Sequence, residues 1–123
     1  MISSAPQRIL LVEDDTAIRE LTEDVLSENG YDITAVGDAE AAVDTLASAG
    51  PFDLLISDVR LPGMNGCDLA RKAVQDDPDL RVLLVTGYAG QRAGDPQLTP
   101  ENIPVLRKPF TLRELLGSVH ATL

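Results

Sequence analysis

The reactive groups of this sequence are few: Glu13, Asp14 and Asp15 in one run, then Asp58, Thr86 and Lys108 standing apart. Carboxylates brought together repel one another, and the repulsion is relieved either by a raised pKa or by a cation. A hard divalent ion suits Glu13, Asp14 and Asp58, because Mg²⁺ takes oxygen ligands, keeps several waters and commonly shares its shell with a phosphate. No His or Cys stands beside these acids, which argues against zinc. With Mg²⁺ or Mn²⁺ in place, a carboxylate oxygen of Asp58 could attack phosphorus while the metal and the Lys108 ammonium neutralise the equatorial oxygens. The product would be an acyl phosphate. The Thr86 hydroxyl could then donate to a phosphoryl oxygen and so register its presence.

Such chemistry requires a fold that gathers residues spread over most of the chain. Ile9 to Val12 is an apolar run that stops at the acids, and it reads as a buried strand. Ile18, Leu21, Val25 and Leu26 then recur on one face of a helix that Asn29-Gly30 ends. Tyr31 to Val36 is a second strand. Asp38 caps a second helix that carries Ala42, Val43 and Leu46 inward and closes at Gly50-Pro51. Phe52 to Ser57 is a third strand halting at Asp58, Leu61-Pro62-Gly63 is a turn, and Gly66 to Gln75 is a helix. Leu80 to Val85 is a fourth strand ending at Thr86-Gly87. Tyr88 to Pro104 contains Gly90, Gly94, Pro96, Pro100 and Pro104, so the fourth helix expected there is short or mobile. Ile103 to Arg107 is a fifth strand. Thr111 and Glu114 have capping-box spacing at the head of a last helix with Leu112, Leu115, Leu116, Val119 and Leu123 as its stripe.

Strands alternating with helices imply parallel pairing, right-handed crossovers and helices on both faces: a doubly wound α/β domain of five strands and five helices. In such a sheet, functional groups collect beyond the carboxyl ends of the strands. Glu13-Asp14, Asp58, Thr86 and Lys108 close strands one, three, four and five, so they converge on one edge.

Composition bounds the function. The 123 residues suit one domain, which excludes a second full module within this chain. Twenty acidic against 10 basic side chains leave a formal charge of -10, unfavourable for direct binding of nucleic acid. The single Cys67 offers no internal disulfide. No apolar run is long enough for membrane insertion and Met1 to Arg8 lacks the features of a signal peptide, so a cytoplasmic protein is expected.

Taken as a set, these motifs resemble the receiver domain of two-component response regulators, from about Arg8 to Leu123. They run Ile9-Leu10-Leu11-Val12-Glu13-Asp14-Asp15, then Leu54-Leu55-Ile56-Ser57-Asp58-Val59-Arg60-Leu61-Pro62-Gly63-Met64-Asn65-Gly66, Val85-Thr86-Gly87 and Arg107-Lys108-Pro109-Phe110. The resemblance implies a flavodoxin-like sheet in the order 2-1-3-4-5, with residues 1–7 a flexible leader and 8–123 the receiver. It implies Glu13, Asp14 and Asp58 as metal ligands together with the backbone carbonyl of Arg60, and a cis bond between Lys108 and Pro109. Asp58 would accept a phosphoryl group from a phosphohistidine, with Thr86 and Lys108 responding to it. The implied partners are a sensor histidine kinase or a histidine phosphotransfer protein, and a downstream protein target. The chain would be no enzyme beyond catalysing its own phosphorylation and dephosphorylation. Nothing follows the last helix in this sequence, so the response is expected to pass through a partner. A stand-alone regulator and a receiver attached to a hybrid sensor kinase both fit.

Two rivals share parts of the pattern. A phosphatase with an aspartate nucleophile needs a second carboxylate two residues beyond it, where this chain has Arg60. A flavodoxin-like FMN carrier cradles phosphate after strand one, where three acids stand here. Singly, the motifs have plainer meanings: acids opening a helix are commonly caps, and an Asp before a Pro-Gly turn is commonly turn chemistry. Cys67 is expected to fill core space, and His120 is given no role. In receivers, residues two beyond the acceptor and two beyond the switch hydroxyl govern phosphate lifetime; Arg60 and Tyr88 are long enough to obstruct water and slow hydrolysis. Val105 stands where many receivers have a mobile aromatic ring. A valine has no ring to swing, so the response is expected to travel through residues 88 to 104.

Overall fold

The computed structural model describes residues 6–86 and 103–123. Five strands form one parallel sheet: β1 (Arg8–Val12), β2 (Asp32–Val36), β3 (Leu54–Asp58), β4 (Arg81–Thr86) and β5 (Val105–Arg107). Their order is β2-β1-β3-β4-β5, as the resemblance implied. The described helices are α1 (Thr16–Glu28), α2 (Ala39–Ala49), α3 (Gly66–Asp76) and α4 (Leu112–Thr122). The helix expected between the fourth and fifth strands lies in 87–102, outside the described residues, as does most of the expected leader.

Alternation along the strands splits the core into two layers. Leu10, Val12, Leu55, Val82 and Leu84 turn to one face, where Ala39 and Ala42 of α2 and Leu69, Ala70 and Ala73 of α3 cover them. Ile9, Leu11, Leu54, Ile56, Leu83 and Val85 turn to the other, against Leu26 of α1 and Leu115 and Val119 of α4. Each described helix has a side-chain cap at its start: Asp15, Asp38, Asn65 and Thr111 accept from backbone N–H groups, and Thr111 and Glu114 complete a capping box. Gly30, at a φ of 93°, lets the chain turn out of α1 at the expected place.

Some expectations need correction. Leu21 is not on the buried face of α1; it is 53% exposed, and Thr22 is buried in its place. Leu112 likewise lies 41% exposed at the start of α4, leaving Leu115 and Val119 as that helix's anchors. Periodicity alone allows a rotation of the helix by about one residue, and the packing of Leu26 decides it for α1. Strands two, three, four and five begin one or two residues later than expected, at Asp32, Leu54, Arg81 and Val105. Phe52 is buried ahead of β3, with the Arg8 guanidinium 4.5 Å above its ring. Cys67 fills core space as expected, and burial pushes its thiol pKa up. The Lys108-Pro109 bond is cis, and so is Gly50-Pro51, which nothing in the sequence marked out. Among the described residues, no helix is long and apolar enough to cross a membrane.

Candidate functional site

The carboxyl ends of the strands bring the separated acids together. Val12 lies beside Val36 and Ser57 in the sheet, so the chain leaves β1 directly over the end of β3. Carboxylate oxygens of Glu13, Asp14 and Asp58 all lie within 4.8 Å of one another. Asp15, the third acid of the run, turns away and accepts from the Ile18 N–H at 3.0 Å as the cap of α1. The acidic run thus divides into a helix cap and a pair facing Asp58.

Glu13 and Asp58 are only 5% and 7% exposed, whereas Asp14 is open to solvent; the site is therefore closed on the strand side and accessible on the loop side. At an effective dielectric constant of about 20, two carboxylates at such separations repel by about 3 to 4 kcal/mol. Lys108 answers that repulsion. Its Nζ lies 3.0 Å from Glu13 Oε1 and 3.1 Å from Asp58 Oδ1. The lysine is held there from behind, since its own N–H donates to the Thr86 carbonyl at 2.8 Å.

The titration of the cluster follows. Burial, then hydrogen bonding with and repulsion by Glu13, push Asp58 up to about 7 despite the nearby ammonium. Burial acts on Glu13 in the same direction, but bonds to Asp58, the Asp15 N–H and Lys108 outweigh it and hold Glu13 below its usual value. For Lys108, burial favours the neutral amine, yet the two carboxylates more than offset it and raise the pKa. One ammonium is short by one charge for two buried carboxylates with a third beside them. An all-oxygen donor set with that deficit fits a hard divalent cation.

The backbone around Asp58 is fixed by two residues that sequence reasoning left without a role. The buried Ser57 hydroxyl donates to the Asp58 carbonyl at 2.9 Å. Gly66 starts α3 directly against that same carbonyl, and its N–H donates to Val59 at 2.7 Å. A Cβ on Gly66 would collide with the Asp58 carbonyl oxygen. The Asn65-Gly66 pair ahead of a helix was the available clue, although that dipeptide more often marks an ordinary turn. Thr86 ends β4 half-buried, and Arg60 is exposed two residues past Asp58. Tyr88 lies outside the described residues.

Comparison with known proteins agrees with this geometry. Residues 9–120 match the family model of the response regulator receiver domain. The response regulator receiver protein CpdR of Brucella abortus is 37% identical over 95% of this chain and 97% of its own. FleR, a response regulator protein of Pseudomonas aeruginosa, is 41% identical over 91% of this chain, which spans only 24% of FleR. Among solved structures, the response regulator TrrA of Thermotoga maritima, crystallised with Mg²⁺ and BeF, superposes with a TM-score of 0.80 at 31% identity, covering 95% of this chain and 99% of TrrA. An acidic cluster at the switch point of such a sheet, matched along nearly the whole domain, leaves one conclusion: the chain belongs to the response regulator receiver domain family and is a phosphorelay receiver.

Proposed function

We propose that Asp58 is the phosphoacceptor, that Glu13, Asp14 and Asp58 hold Mg²⁺ with the Arg60 carbonyl as a further ligand, and that Thr86 and Lys108 carry the response. The observation that supports this most directly is the buried Asp58 carboxylate at the end of β3, contacted by Lys108 and crowded by Glu13. An oxygen of Asp58 attacks the phosphorus of a phosphohistidine; as the O–P bond forms the N–P bond breaks, and the imidazole keeps the electron pair. Mg²⁺ or Mn²⁺ would supply charge neutralisation for the phosphoryl oxygens during that step. Lys108, already within 3.3 Å of both Asp58 oxygens, turns its ammonium from carboxylate to phosphoryl oxygen. The Thr86 hydroxyl donates to another phosphoryl oxygen and draws the end of β4 inward.

The donor in this reading is a sensor histidine kinase or a histidine phosphotransfer protein, and the output is an altered affinity for a downstream protein in the cytoplasm. Residues 8–123 act as one receiver unit, catalysing nothing beyond their own phosphorylation and dephosphorylation. The side chains two positions past Asp58 and two past Thr86 in sequence, Arg60 and Tyr88, slow hydrolysis of the phosphoryl group. Incubation with acetyl phosphate and Mg²⁺ should add one phosphate to the mass of the protein, and EDTA or Asp58→Asn should abolish the gain. Retention of the gain in Asp58→Asn would reject the assignment.

A further inference from the structure

We infer that Arg19 is a positioning residue for the acidic pair, its guanidinium fixing the peptide between Glu13 and Asp14 and with it the direction of the Asp14 carboxylate. This rests on the metal-site reading above and concerns how that site is built. The turn from β1 into α1 is only three residues long, and each of its peptides is restrained by a different bond. Glu13 N–H donates to the Val36 carbonyl at 3.1 Å, and Asp15 N–H donates to Glu13 Oε2 at 3.1 Å. The Asp15 carbonyl accepts from the Arg19 N–H at 2.8 Å. The remaining peptide, between Glu13 and Asp14, is held through the Glu13 carbonyl, which accepts from Arg19 Nη1 at 2.8 Å. Among the described residues Asp14 makes no side-chain hydrogen bond, so the backbone alone aims it at the cluster.

The use of the charge is informative. In a chain with 20 acidic side chains, this guanidinium is directed at neutral oxygens: the Glu13 carbonyl and, at 3.4 Å, the Thr16 hydroxyl. Gly37, just past β2, provides the space, because a Cβ there would come within 3.0 Å of Nη1. The fork geometry of a guanidinium suits this two-oxygen grip, and an ammonium cannot reproduce it.

Two simpler roles predict different results. A purely electrostatic Arg19 would repel a bound cation, so its removal would tighten metal binding. A purely structural Arg19 would lower the melting temperature and leave metal affinity alone. Positioning predicts weaker binding, by about tenfold or more as for other groups that orient metal ligands. The experiment is titration of the whole protein with Mg²⁺ by calorimetry and with Mn²⁺ by electron paramagnetic resonance, for the wild type, Arg19→Met, Arg19→Lys and Gly37→Val, each also melted. We expect about tenfold weaker binding in both Arg19 variants and in Gly37→Val, which crowds the guanidinium without touching the acids. Affinity in Arg19→Met within threefold of wild type, or tighter, overturns the proposal, as does full affinity in Arg19→Lys. Should Arg19→Met not fold, Arg19→Lys and Gly37→Val decide. Asp14→Asn separates the two levels: if it leaves divalent binding intact, the metal-site reading itself fails, whereas its loss of binding beside an unaffected Arg19→Lys rejects only the role of Arg19.

Discussion

The two edges of the sheet treat charge in opposite ways. At the amino edge, Arg8 spreads its donors over the Pro51 carbonyl at 2.8 Å, Asp53 through its own N–H at 2.8 Å, and Asp32 at 3.8 Å, all partly in water. There the Arg8 guanidinium faces the Asp32 carboxylate, the Asp53 carboxylate accepts from a backbone N–H, and Phe52 supplies an aromatic face beneath the guanidinium. At the carboxyl edge two carboxylates are buried around one ammonium, with a third alongside. The first arrangement ties β1, β2 and the approach to β3 together at little electrostatic cost. The second stores repulsion that a further cation, or a proton on Asp58, relieves. Paired charges and crowded charges are thus separated by the length of a strand.

The largest test of this contrast is Gly66→Ala. Everything the new Cβ would meet, the Asp58 carbonyl and the Val59 Cα, is backbone, so no side chain can yield, and a loss of about 3 kcal/mol is expected by chemical denaturation. A loss below about 1 kcal/mol would show that the carboxyl edge is softer than its geometry implies.

Asp58→Asn comes next and has the opposite sign. Folding raises the pKa of Asp58 from an ordinary 3.8 to about 7, so above pH 7 its charge opposes folding, and below the ordinary carboxylate range it does not. In EDTA the variant should be more stable by on the order of 2 kcal/mol at pH 8, with the gain fading as pH falls from 7 towards 4. A variant no more stable than wild type at pH 8 would remove the claim that this edge is under electrostatic strain.

Arg8→Met should cost about 1 kcal/mol and leave Mg²⁺ affinity unchanged, since its bonds are exposed and lie at the far edge. Any change in metal affinity would couple the two edges. The smallest effect is that of salt: about 0.5 M NaCl should shrink the Arg8→Met difference by a few tenths of a kcal/mol through screening.

Much of the fold was legible because strand ends, caps and breakers carry local physical meaning. Asp38, the Thr111 capping box and Asn29-Gly30 all punctuate helices where their chemistry indicated. Leu21 and Leu112 misled because an apolar residue at helical spacing marks a face only approximately, and tertiary packing chose the neighbouring residue. In the site, convergence of Glu13, Asp14, Asp58 and Lys108 could be read from topology, since a parallel sheet aligns strand ends. The supporting residues could not. Ser57, Gly66 and Arg19 meet backbone atoms of their neighbours, and such contacts leave no periodic pattern; only Asn65-Gly66 offered a clue, and an ambiguous one.

The distance in sequence between Lys108 and its partners bears on how the protein comes into being. Glu13 precedes Lys108 by 95 residues and Asp58 precedes it by 50, so a growing chain exposes its acids long before it makes the ammonium that joins them. The lysine reaches its place through β5, a strand of three residues that pairs with the end of β4, Val105 beside Leu84. A nascent or partly folded chain therefore holds its acids without Lys108. The crowding of Glu13 and Asp58 is thus met by their ammonium only once the chain has been made as far as β5 and that strand has paired.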